Sequence, residues 1–120
     1  MGRPEDTLRS QTDEWGRDPS VTAMRRIFAA MEAAQKELLN TLGLSPLDQR
    51  LRRWRERTLA AFDASRARSG RAGVELGERE AGELYVHCLA KIMTREGMEV
   101  PSGVLPRNEK VQKILREVFP

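Results

Sequence analysis

The stretch DPSVTAMRRIFAAMEAAQKELLNTLGLSPLD, residues 18–48, decides the fold. Within it Val21, Met24, Phe28, Met31, Gln35, Leu38 and Leu42 recur at alternating steps of three and four. That spacing stacks side chains on one face of a 3.6-residue helix. Ile27, Ala34 and Leu39 widen the stripe to about 140° of the helical wheel. Asp18 is placed to cap the first turn, Pro19 to sit at N1 where its missing N–H costs nothing, and Gly43 to end the helix. Ser45-Pro46-Leu47-Asp48 then restarts a helix, with Ser45 as cap, Pro46 at N1 and Asp48 at N3. So short a link predicts antiparallel neighbours, a helical hairpin.

Working outward, Leu47, Leu51, Trp54, Thr58, Ala61, Phe62 and Ser65 continue as a second stripe that Gly70 should stop. Residues 69–77 are punctuated by glycine and read as loop. A third helix is expected from Glu78 to about Glu96, ending at Gly97. Its apolar positions, among them Ala81, Leu84, Tyr85, Cys88, Leu89 and Met93, span about 200° of the wheel, so it should be flanked on two sides. Pro101, Gly103 and Pro106 mark a turn-rich connection, with a weak hairpin signal pairing Met98–Val100 with Val104–Leu105. A last short helix should turn Val111, Ile114, Leu115 and Val118 inward. Residues 1–17 carry no periodicity and read as a flexible polar arm, leaving 18–120 as one helical domain. The expected architecture is all-α: about four helices in a small, mostly antiparallel bundle.

Composition agrees and narrows the function. Hydrophobic residues make up 39% and charged residues 32% of the 120, but only 5% are aromatic, an aliphatic helical recipe. Cys88 is alone, so neither an internal disulfide nor a cysteine metal cluster can form, and a reducing, cytoplasmic setting is expected. No apolar run suits a signal peptide or a span of roughly 20 residues, so no membrane association is expected.

The net charge of +3 is modest, but its distribution is uneven. Between residues 48 and 71 eight arginines face three acids. Arg50, Arg53 and Arg57 lie along one border of the second stripe, and Arg52 and Arg55 along the other. Three readings stay open for them. They can lay their stems over the core edge and pair with acids on neighbouring helices. They can meet nucleic-acid phosphates with bidentate guanidinium forks, although few aromatics interleave with them to stack bases. They can meet an acidic protein surface. Trp15, in an otherwise polar arm, either docks on the protein's own helices or anchors a partner.

Chemistry is harder to find. Glu83 and His87 stand at i,i+4 on the expected polar face of the third helix, near Glu80, which is half of a metal or acid–base site at most. Cys88 falls on the apolar side, where a buried thiol is inert. The glycines at 70, 73 and 77 lack the preceding strand and following Gly-Lys-Ser/Thr of a phosphate loop. The sequence therefore points to a non-enzymatic, protein-interaction or regulatory module without cofactor or metal, self-associating or binding another protein through a helix face. The alternative is a nucleic-acid-binding protein that uses the Arg-rich second helix.

Overall fold

The computed structural model describes residues 19–71, 73 and 75–119. Four α-helices form an all-α bundle: α1 (Pro19–Leu42), α2 (Gln49–Arg71), α3 (Glu78–Arg95) and α4 (Glu109–Val118). A 3-10 turn, Ser102–Val104, interrupts the connection between α3 and α4. The described residues contain no strand, so the expected pairing of Met98–Val100 with Val104–Leu105 does not form. The prolines on either side of the turn explain this, because each removes a donor that a ladder would need.

Helix ends follow local chemistry. Gly43 and Gly97 sit at φ +71° and +91°, the left-handed conformation that closes α1 and α3. After Gly97 the Met98 N–H reaches back to the Met93 carbonyl at 3.0 Å. Asn108 caps α4, its Oδ1 accepting the N–H groups of Lys110 and Val111 at 3.0 and 3.4 Å. The start of α2 differs from expectation. Ser45 and Pro46 belong to a turn, in which Ser45 Oγ accepts from the Leu47 N–H at 3.0 Å. Asp48 is the residue that caps the helix, its Oδ1 taking the Arg50 N–H at 2.9 Å. At the other end α2 continues through Gly70 to Arg71, because Gly70 holds ordinary helical geometry and the positive φ falls at Gly73.

α3 is the hub. It packs against α1, α2 and α4, and α2 also touches α4, whereas α1 and α2 share no extended interface. The expected hairpin is thus opened, with α3 lying against both of its arms. The six residues 43–48 give the link enough length, and a helix apolar over so wide an arc buries more surface between two neighbours than beside one. The pairs Arg26–Glu78, Ala30–Gly82 and Gln35–Tyr85 rise together in number, so α1 and α3 run parallel. Ser65 meets Cys88 while Arg57 meets Glu96, so α2 runs the opposite way. Residues 96–108 return along α3, which sets α4 parallel to it.

The core gathers Met31, Leu38 and Leu39 of α1, Trp54 and Phe62 of α2, most of the inward α3 residues, and Val111, Ile114 and Leu115 of α4. Phe62 meets Tyr85 edge to face, the ring centres 6.1 Å apart. On the α2·α3 side small residues allow close approach: Thr58 and Ser65 are buried, and each hydroxyl bonds back to the carbonyl four residues earlier. On the α1·α3 side Gly82 does the same. A Cβ there would stand 2.9 Å from the Ala30 carbonyl oxygen, which is backbone and cannot swing away.

Candidate functional site

The arginine-rich stripe of the sequence forms α2, which turns Leu51, Trp54, Thr58, Phe62 and Ser65 into the core. Arg50, Arg52, Arg53, Arg55 and Arg57 are all exposed along its borders. One border is engaged by acids. The Arg50 guanidinium donates to both Asp48 oxygens, at 3.1 and 2.9 Å, and lies 5.0 Å from the centre of the Trp54 ring. That side-chain bond, helped by the Arg50 N–H, holds the Asp48 carboxyl down at about 2.

Glu96 does the same for the next two. It stands one residue beyond α3, its side chain only 14% exposed. Arg53 donates to both carboxylate oxygens, Arg57 Nη1 donates to Oε1 at 2.6 Å, and the Trp54 indole N–H donates to Oε2 at 3.0 Å. The Arg53 guanidinium first, then the indole and Arg57, keeps this carboxyl below its ordinary value. Three guanidinium charges therefore meet two carboxylates on this border. Sequence reasoning missed Glu96, because its distance along the chain from Arg53 gives no periodic clue.

The other border is freer. Arg52 is 91% exposed at its side chain, and its contact with Glu56 is loose at 3.8 Å. Arg55 lies beside the Tyr85 hydroxyl, which itself donates to Gln35 Oε1 at 2.6 Å; burial raises the Tyr85 pKa. Trp15, the expected anchor, lies outside the described residues.

The Glu80, Glu83 and His87 constellation is dispersed into structural bonds. His87 is 6% exposed rather than on an open polar face. Its Nε2 donates to the Pro106 carbonyl at 2.6 Å, because the returning 98–107 segment covers this side of α3. Glu83 accepts from Asn108 Nδ2 at 2.9 Å and lies 3.5 Å from Arg79. Glu80 accepts the Gly77 N–H at 3.3 Å and reaches Lys110 at 3.7 Å. Among the described residues no group of three or more His, Cys, Asp or Glu could hold a metal ion. Cys88 is fully buried, and burial pushes its thiol up to about 11, which suppresses the nucleophilic thiolate.

A second surface emerges on α1. The stripe expected to be core is buried at Met31 and Leu38, yet Met24 is 52% and Phe28 49% exposed on the same face. Leu47, also expected inside, is 88% exposed in the turn before α2. No helix among the described residues is long and apolar enough to cross a membrane. Comparison with protein-family models, with curated proteins and with solved structures finds no match for this chain.

Proposed function

We propose that the protein is a non-enzymatic helical interaction module that docks a partner helix against the exposed Met24 and Phe28 of the α1 stripe. The observation that carries this reading is the exposure of Met24 and Phe28 in direct continuation of the buried Met31–Leu38 face. Large apolar groups at i,i+4 on a core-facing stripe are what a partner helix buries. Covering the exposed half of both side chains is worth on the order of 2 kcal/mol, enough to bias association though not to secure it alone. The arginines of α2 then act as they do at an interface rim, setting approach and orientation rather than affinity. A lone buried thiol suits a reducing compartment, and we place the module in the cytoplasm.

The test is sedimentation equilibrium on the full chain, with Phe28→Asp beside it. The module predicts a mass that rises with concentration and a variant that stays monomeric with unchanged thermal stability. Identical behaviour of both proteins would refute it. A second reading rests on Arg52 and Arg55, the more loosely held border: contact with nucleic-acid phosphates. Two neutralised phosphates predict a log–log salt slope near about −1.8 for duplex binding, abolished in Arg52→Glu/Arg55→Glu.

A further inference from the structure

The open face of α1 carries its own charge code. Arg25 and Glu32 flank Phe28, and both are exposed. Neither makes an ion pair among the described residues. Seven residues separate them, so they lie about 20° apart on the wheel and about 10.5 Å apart along the axis. Opposite charges at that interval on one flank are self-complementary in only one sense. Two copies of α1 laid antiparallel, with a twofold axis passing between Phe28 and Ala29, place Arg25 of each copy opposite Glu32 of the other. The same axis brings the two Phe28 rings together at the centre of the contact. A parallel arrangement in register would set Arg25 against Arg25 and Glu32 against Glu32.

We infer that the partner of this face is a second copy of the chain, docked antiparallel through α1 with Phe28 at the axis and two symmetric Arg25–Glu32 pairs. The inference rests on the reading of α1 as a docking face and adds the occupant and its orientation. Isologous contact of this kind closes on itself, so it yields a dimer and no fibre. The apolar centre is small, so the dimer should be weak, as interfaces below the ~1,200 Å² standard size are.

Sedimentation equilibrium on the full chain and three charge variants decides it. Arg25→Glu alone and Glu32→Arg alone should each weaken dimerisation by about fivefold or more, since each creates two like-charge contacts. The double variant, Arg25→Glu with Glu32→Arg, should restore the wild-type constant. A wild-type dimer that Phe28→Asp abolishes, but that the double variant fails to restore, would overturn the antiparallel pairing and leave the docking face standing. A wild-type monomer at every concentration would overturn both. A monomer that loses thermal stability in Phe28→Asp would show the chain's own residues covering the face, and would overturn the pairing as well.

Discussion

Gly82→Ala is the substitution whose sign tests the helix packing most directly. In an exposed helix, replacing glycine by alanine stabilises by about 1 kcal/mol, because glycine has more backbone freedom to lose. At Gly82 the new methyl would stand 2.9 Å from the Ala30 carbonyl oxygen, 3.1 Å from its carbon and 3.4 Å from its Cβ. Ordinary contacts begin near 3.4 Å, so the two backbones must part by about half an ångström, and α1 cannot yield at one residue alone. Overpacking of this kind costs roughly 1–3 kcal/mol, and parting the helices also loosens the packing along the rest of the α1·α3 seam. The cost offsets the propensity gain, and the net expectation is a loss of up to about 2 kcal/mol. For a domain near 100 residues that is a drop of up to roughly 16 °C in Tm. Gly70→Ala supplies the control: it too is helical, but a Cβ there meets nothing within 4 Å. Urea titration followed by circular dichroism should move the two midpoints in opposite directions. If Gly82→Ala is as stable as Gly70→Ala, the close approach of α1 and α3 is wrong.

Other expectations follow from single contacts. Cys88, buried with its thiol raised to about 11, should resist a disulfide reagent at pH 8 until the chain unfolds, so that its labelling rate reports opening of the α2·α3 seam. The Asp48 carboxyl is lowered in the folded state from 3.8 to about 2, so its contribution is complete above pH 3.8 and is lost as pH falls towards 2. Asp48→Asn should flatten that part of a urea-midpoint profile, and an unchanged profile would remove the Arg50 bond from the account. Asn108→Ala takes the cap from α4 and the Nδ2 bond from Glu83, and should cost about 1 kcal/mol in thermal melts. Glu96→Gln keeps the shape of the side chain but leaves Arg53 and Arg57 facing each other. It should lower Tm most at low salt, and raise affinity for duplex DNA with a steeper salt slope if the carboxylate is what silences that border.

Periodicity made the helices legible, because a step of three and four along Val21–Leu42 has one geometric meaning. Glycine marked the ends of α1 and α3 for a similarly local reason, since a left-handed residue must follow the last turn. What was not legible is relational. His87 reads as polar-face on its own helix, and only the returning 98–107 segment buries it against the Pro106 carbonyl. Pairing of Arg53 and Arg57 with acids of a neighbouring helix is one of the three readings the sequence leaves open, but the acid itself, Glu96 at the end of another helix, cannot be named from it. Gly82 sits among apolar letters as an unremarked gap, and its reason is a carbonyl on α1. In each case one partner is in view and the other lies beyond the reach of any local pattern. The cap of α2 is different, since two acceptors, Ser45 and Asp48, competed three residues apart and the carboxylate with its own arginine prevailed.

The exposure of Met24 and Phe28 near the start of α1 has a geometric origin. α1 has 24 residues and α3 has 18, so at 1.5 Å per residue they run about 36 and 27 Å. Because Arg26 lies beside Glu78, the first residue of α3, everything before residue 26 extends past the end of the helix that should cover it. Met24 is in that overhang and Phe28 at its edge, which is why one continuous stripe is core at Met31 and open at Met24. A helix held only to brace this bundle would gain nothing from apolar residues beyond its neighbour's reach, and would solvate better with polar ones. The stripe nonetheless keeps its spacing through Met24, with an opposite pair of charges bracketing Phe28. Apolar residues that outrun their own core in phase are the feature on which the proposed docking face rests.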